Sequence, residues 1–272
     1  MTLLIPPQAL SLRNIHLEQV RQSGLDSLCA LDTAAQRSRY LFLCFTNRCG
    51  STLLSHSIAS DGSLNAAGEF FNGGTIVDNA NHQGLRSFGE YFNFLVPHVA
   101  RNGILVAKLA ITNLLLLAEM GVLEQILDQS VFVILERGDK LGQAISLSIA
   151  DQNQKWSATH PAVINDDDLV FDYNQITTLI SGISFEYNMF SLMFSLNGIT
   201  PLIISYETLR LCPQLVISQI AKRLDLSLRY EPTAITTERQ AGTINQTWRE
   251  RYLAQRSGAP TDTTAMHCKP IS

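Results

Sequence analysis

The sequence predicts an α/β fold in which a mainly parallel sheet is covered by helices on both faces. Three observations carry this. Residues 40–45, 104–108, 131–135 and 201–205 are short runs that stay apolar almost throughout, as strands buried on both faces must; a half-wetted strand would alternate instead. Between these runs lie stretches with apolar residues at three-and-four spacing, the mark of amphipathic helices. A chain of 272 residues is also long enough to bury one large core.

In chain order, Tyr40-Leu-Phe-Leu-Cys-Phe45 is the first strand. The polar loop Thr46-Asn-Arg-Cys-Gly-Ser-Thr52 follows, and Leu53 opens a helix that ends near Asp61-Gly62. Residues 104–108 form the second strand, and Asn113 is placed to cap a Leu-rich helix over 114–127. The third strand, 131–135, runs into Glu136-Arg-Gly-Asp139 and a helix over 140–156. Asp166-Asp-Asp168 falls in a loop. Residues 173–196 form a long helix whose apolar stripe is Ile176, Leu179, Ile180, Ile183, Tyr187, Phe190 and Phe194. The fourth strand, 201–205, precedes a helix over 214–224. No internal repeat or low-complexity tract is present. Residues 1–35 read as an extension, 36–255 as the domain and 256–272 as a polar tail.

Composition narrows the function. Charged residues make up 16% of the chain and the net charge is −4, against roughly 25% charged in ordinary domains. A disordered chain needs more charge, and a bulk nucleic-acid binder would be basic. An anionic ligand must therefore rest on a few well-placed cations. Five scattered cysteines without a CxxC pair suggest neither a zinc site nor a disulfide framework, and point to a reducing, cytoplasmic compartment. The N-terminus lacks the basic start and apolar core of a signal peptide. The longest uncharged run, 187–206, contains Asn188, Asn197, Gly198 and Pro201, which argues against a membrane span. The six histidines make no HxxH or HExxH spacing, so no metal site is expected.

In open parallel sheets ligands bind outside the carboxyl ends of the strands, here the loops after Phe45, Lys108, Leu135 and Ser205. In the first of these, Gly50 lets backbone approach a ligand. Ser51 and Thr52 add hydroxyls, Arg48 adds a planar cation, and the following helix start supplies N–H groups. Two readings fit that loop: an anion cradle, or a plain Ser/Thr helix cap. The nucleotide-binding pattern G-x-x-x-x-G-K-S/T is absent. Arg137 leaves the third strand with Ser146 farther along the next helix, and both are candidates to hold a phosphate remote from the first loop.

Taken together, these loops resemble sulfotransferases that use 3′-phosphoadenosine-5′-phosphosulfate (PAPS), and the local detail is similar to the bacterial trehalose-sulfotransferase-like family. The matching segments are Thr46-Asn-Arg-Cys-Gly-Ser-Thr-Leu-Leu54, Gly68-Glu-Phe-Phe71, Ala107-Lys108, Arg137-Gly-Asp139 through Gln143-Ala-Ile-Ser-Leu147, and Ala150-Asp-Gln152 with Trp156. Ser205-Tyr-Glu-Thr-Leu209 and Arg239-Gln-Ala241 with Trp248 and Arg251-Tyr252 complete the order. The resemblance implies a P-loop-like three-layer sandwich. It implies PAPS as co-substrate with no metal, a small hydroxylated acceptor such as a carbohydrate, and neither nucleic acid nor membrane as partner. Because some relatives are dimers, part of the 173–196 helix face is open to a second copy. Residues implied to bind the nucleotide are Arg48, Cys49, Gly50, Ser51, Thr52, Leu53, Arg137, Ser146, Arg239 and Gln240. Glu69, Arg48 and Lys108 are implied to act in catalysis. This chain has Asn47, Cys49 and Glu136 where the family often has proline, Thr or Ser, and a second basic residue.

Sulfuryl transfer passes through a loose, in-line transition state dominated by positioning and charge stabilisation. Glu69 is the expected general base, its pKa raised by desolvation beside Phe70 and Phe71; such a base contributes about 10²–10⁴-fold. His56 and His98 compete for that role, and Cys49 in the anion loop is a candidate low-pKa thiol. Lys108 reaches the carboxyl edge, either to steady the reacting groups or simply to be solvated. The alternatives are a Mg²⁺-dependent P-loop kinase-like enzyme and a nucleotide-binding relative without turnover.

Overall fold

Leu41 and Leu43 face one side of the first strand, Tyr40 and Phe42 the other, and all four are fully buried. The computed structural model describes residues 3–27, 30–156, 161–232 and 242–257. In it, β1 (Arg39–Cys44), β2 (Ile104–Leu109), β3 (Ser130–Glu136) and β4 (Leu202–Ser205) form a parallel sheet in the order β2-β1-β3-β4. Leu41 pairs in register with Val106 on one side and Val131 on the other. The predicted α/β, P-loop-like class is thus the observed one. The helices, in chain order, are α1 (Ile15–Gln22), α2 (Thr33–Arg37), α3 (Ser51–Ile58), α4 (Gly73–Gln83), α5 (Phe88–Val99) and α6 (Ile111–Glu119). They continue with α7 (Val122–Ile126), α8 (Lys140–Asn153), α9 (Tyr173–Leu196), α10 (Tyr206–Leu211), α11 (Pro213–Arg223) and α12 (Thr243–Arg256).

The chain divides into two compact units. One comprises Met1–Gly138 with Ser184–Thr236, the other Asp139–Ile183 with Thr237–Ser272. The first unit holds the whole sheet. On one face a run of rings links Phe71, Phe92, Tyr40, Phe42, Phe132 and Phe194, with neighbouring centroids 5.0–6.0 Å apart. On the other face Leu41, Leu43, Val133, Leu135 and Ile204 pack with Leu54 and Ile58 of α3 and Ile217 of α11. Each such side chain, fully buried, contributes roughly 1.5–3 kcal/mol against the entropy of ordering the chain.

The N-terminal residues pack into this same unit. Leu3 N donates to Glu124 Oε1 at 2.7 Å, Asn14 Nδ2 to the Thr112 carbonyl at 2.8 Å, and Phe88 N to the Leu25 carbonyl at 2.7 Å. Gly73, at the start of α4, lies so close to α1 that a Cβ there would stand 2.9 Å from the His16 Cα and would strike the Gln19 amide.

Two predicted helices differ from those observed. The 114–127 helix is two helices, because Gly121 adopts φ +63° between α6 and α7. Asn113 does not precede α6 but sits in its first turn, where Oδ1 accepts from Ala110 N at 2.9 Å. The 140–156 helix stops at Asn153, where Gln154 turns left-handed at φ +56°.

In the second unit α12 packs on α8. Asp139 caps α8 through Gly142 N at 3.0 Å and takes two hydrogen bonds from Arg249 Nη1 at 2.9 and 3.1 Å. Trp248 meets Phe171 edge-on, Arg251 lies 4.5 Å over the Phe171 ring, and Tyr252 stacks on Tyr173 at 4.6 Å.

Candidate active site

Between β1 and α3 the chain makes a tight loop that needs two left-handed residues, Arg48 at φ +64° and Gly50 at φ +100°. Within it Cys49 N donates to the Thr46 carbonyl at 3.2 Å, and left-handed residues of this kind occur in the turns that form backbone anion sites. Leu54 N bonds to the Gly50 carbonyl at 3.1 Å, while the first N–H groups of α3 have no carbonyl four residues back to accept them. Gly50 is required for a second reason: a Cβ there would stand 2.5 Å from the ring of Tyr206. Ser51 is buried, Thr52 exposed and Leu53 half-buried against the aliphatic core. Cys49 is fully buried, and burial pushes its thiol up to about 11 although Thr46, Ser51 and Tyr187 hydrogen-bond it. The expectation of a low-pKa thiol is therefore corrected: the sulfur has left water, and these hydrogen bonds do not offset that loss.

The second loop meets the first. Sequence set the Arg137 grip apart from the Arg48 loop, but Arg137 Nη1 donates to the Arg48 carbonyl at 3.3 Å. Burial lowers the pKa of the Arg48 guanidinium, and the neighbouring Arg137 charge lowers it further, with Tyr206 opposing. Tyr206 organises this cluster. Its ring packs on Gly50 and lies under Arg137 at 5.2 Å and Arg210 at 5.9 Å. Glu207 accepts from Gly138 N at 3.1 Å and fixes the turn after Arg137. Tyr187 donates to the Leu135 carbonyl at 2.8 Å, tying α9 to the carboxyl end of β3.

A carboxylate stands on the same edge, one strand over. Gly68 bridges to Ala107, and Lys108 N donates to the Gly68 carbonyl at 2.8 Å, so Glu69 follows directly from a contact with β2. Lys108 Nζ reaches Glu69 Oε1 at 2.7 Å, and Asn72 Nδ2 reaches Oε2 at 3.0 Å. The Lys108 side chain is only 12% exposed, against 43% for Glu69. Lys108 is thus neither freely solvated nor loose. Asn113 Nδ2 donates to the Phe71 carbonyl at 2.8 Å and holds the turn from α6. For Glu69, burial alone raises the pKa, as expected from sequence. The Lys108 hydrogen bond and charge, with the Asn72 hydrogen bond, outweigh it, and the net direction is down.

Among the sequence candidates, Arg48, Cys49, Gly50, Ser51, Thr52, Leu53, Glu69, Lys108 and Arg137 lie in the first unit. The structure joins Arg48 to Arg137 and Glu69 to Lys108. Ser146 lies on α8 of the second unit, half-buried, and Arg239 and Gln240 lie outside the described residues. His98 ends α5, at the amino side of β2, where its Nδ1 meets the Phe94 carbonyl at 2.6 Å. That is the edge opposite Glu69. Among the described residues no group of three His, Cys, Asp or Glu side chains is placed to hold a metal, and no helix is long and apolar enough to cross a membrane.

The family described as Stf0 sulphotransferase matches residues 99–255, more than half of the chain. The chain belongs to the Stf0 sulphotransferase family. The matched span includes Lys108, Arg137 and Ser146 and begins after the Arg48 loop and Glu69. The chain is also similar to trehalose 2-sulfotransferase of Mycobacterium tuberculosis (strain ATCC 35801 / TMC 107 / Erdman), with 29% identity over 136 residues. That alignment takes in 49% of this chain and 50% of the relative, so the chain spans about half the length of the curated relative it matches.

Sequence reasoning missed several supporting residues. Tyr206 and Glu207 were visible as part of Ser205-Tyr-Glu-Thr-Leu209, but nothing local says that the ring covers a glycine 156 positions earlier. Asn113 gave no signal beyond helix capping. His16 was set aside among scattered histidines, although its Nδ1 accepts from Gly73 N, next to the Asn72 that holds Glu69.

Proposed function

We propose that the chain transfers a sulfuryl group from PAPS to a hydroxyl of a small carbohydrate-like acceptor, in a reducing compartment that suits its free thiols at Cys44, Cys49 and Cys212. The observation that carries this reading is the hydrogen bond from Arg137 Nη1 to the Arg48 carbonyl, which brings a second cation to the strand–loop–helix turn. An anion bound at this turn would interact favourably with both charges, so the cluster fits a phosphorylated sulfuryl donor. The donor brings a sulfuryl group already activated by a phosphate leaving group. Arg48, Arg137 and the N–H groups around Gly50 then stabilise the charge that grows on the leaving oxygen.

Glu69 takes the proton of the attacking hydroxyl. Its depressed pKa keeps it ionised at neutral pH, so it is ready to accept. Lys108 and Asn72 hold one carboxylate oxygen each, which restricts the direction from which a hydroxyl can approach. The balance is simple: the acceptor oxygen bonds to sulfur, the sulfur–phosphate oxygen bond breaks with its electron pair on phosphate, and the proton goes to Glu69.

The relative's name makes trehalose the first acceptor to try. The test is incubation with sulfur-labelled PAPS, EDTA and a panel of mono- and disaccharides that includes trehalose, followed by identification of the labelled ester. Transfer without a divalent metal supports the reading. Binding of ATP only with Mg²⁺, together with no use of PAPS, overturns it in favour of a kinase-like enzyme.

A further inference from the structure

The turn that carries Glu69 is braced by the N-terminal helix. The first residue of α4, Gly73, donates its N–H to His16 Nδ1 of α1 at 3.1 Å. An imidazole nitrogen that accepts an amide hydrogen carries no proton of its own. His16 is therefore neutral with its proton on Nε2. Burial lowers its pKa, with Glu69 opposing, which agrees with the neutral ring. Among the described residues Nε2 has no hydrogen-bond partner, while Nδ1 is fixed. The approach of α1 is not incidental, since Gly73 has no room for a Cβ against His16 and Gln19. Gly73 follows directly on Asn72, whose amide, with Lys108, holds the Glu69 carboxylate. Phe70 lies against Gly68 beside the same carboxylate. A fixed donor next to a base, with an amide and an aromatic ring close by, suits a ligand that offers several hydroxyls on one carbon frame.

We propose that His16 is an acceptor-binding residue of this site: its Nε2–H donates to one oxygen of a polyhydroxylated acceptor whose neighbouring hydroxyl loses its proton to Glu69. This rests on the sulfotransferase reading and gives the N-terminal helix a part in choosing the acceptor. His16 itself neither gains nor loses a proton.

The test uses the full chain, PAPS and the saccharide panel, with three substitutions. His16→Ala removes both ring nitrogens, His16→Asn keeps an acceptor near Nδ1, and His16→Gln keeps a donor near Nε2. One lost hydrogen bond is worth about five- to tenfold. We expect the acceptor KM to rise by that factor in His16→Ala and His16→Asn, with the PAPS KM unchanged and His16→Gln restoring most of the loss. Nitrogen-15 NMR of the free protein, with His16 assigned by its absence from the variant, is expected to find Nε2 protonated and Nδ1 bare at pH 7. Full activity in His16→Asn with loss in His16→Gln overturns the proposal, because the ring would then only cap α4. The opposite tautomer, or transfer to no sugar at all, also overturns it. Calorimetry with adenosine 3′,5′-bisphosphate separates the two readings. If the wild type does not bind, the sulfotransferase reading falls and this one with it. If it binds and His16→Ala leaves the acceptor KM unchanged, only the role of His16 falls.

Discussion

Arg137 reaches back across the carboxyl edge of the sheet and donates from Nη1 to the main-chain carbonyl of Arg48 at 3.3 Å. Its guanidinium both shapes the first loop and adds charge to it. We expect Arg137→Ala to weaken binding of adenosine 3′,5′-bisphosphate about ten- to a hundredfold, the worth of one charge-assisted hydrogen bond. Arg137→Lys is expected to recover only part of this, since an ammonium lacks the planar fork. Calorimetry on the three proteins is the check; equal affinity in all would remove Arg137 from the binding site.

The Glu69–Lys108 pair sets the acid limit of the reaction. Glu69 must be ionised to accept a proton, so activity falls as pH drops through its folded pKa, which lies below the ordinary carboxylate value. The same depression stabilises the fold above the unfolded pKa and is lost as pH falls through the folded one. In Lys108→Met burial acts with less opposition, and the acid limb of kcat/KM is expected to move to higher pH. Carbon-13 titration of the Glu69 carboxyl should move in the same sense. An unmoved limb would mean that Lys108 does not govern the base.

Gly50 carries both a left-handed backbone and a ring in contact, whereas Gly62 at φ +71° has nothing within 4 Å of an added Cβ. Gly62→Ala should cost the backbone strain alone, about 1–3 kcal/mol. Gly50→Ala should cost more and also abolish nucleotide binding, because Tyr206 must move. Thermal unfolding of the two variants makes the comparison; equal Tm values would argue against the close packing of Tyr206.

In the second unit Asp139 both caps α8 and pairs with Arg249. Both partners are more than a third exposed, so the pair itself is worth less than about 1 kcal/mol. Asp139→Ala also loses the cap and should cost about 1–2 kcal/mol. Urea unfolding that finds Arg249→Ala the more damaging would reverse this order of importance.

Much of the sheet was legible because its strands are buried on both faces. Leu41 and Phe42 point opposite ways and both must be apolar, so the run declares itself without any partner. Helix 173–196 was legible for a similar reason, its stripe from Ile176 to Phe194 keeping one spacing. The break at Gly121 was hidden by leucines on both sides, whose pattern does not register a single left-handed residue. At the site, the Arg48 loop was readable because its chemistry is local. The Glu69–Lys108 pair, the Arg137–Arg48 contact and the approach of His16 to Gly73 join residues 39, 89 and 57 positions apart. Such contacts are set by strand order and helix docking, which composition and spacing do not encode. The pKa of Glu69 shows the consequence: its neighbours Phe70 and Phe71 suggest a raised value, and a lysine on another strand reverses it.

The most direct measurement is calorimetric titration of the wild type and Arg48→Ala with adenosine 3′,5′-bisphosphate in EDTA. Saturable binding by the wild type, weakened at least tenfold in Arg48→Ala, is the expected result. No binding by the wild type, or binding only of ATP and only with Mg²⁺, would contradict a sulfotransferase site at the Arg48–Arg137 cluster.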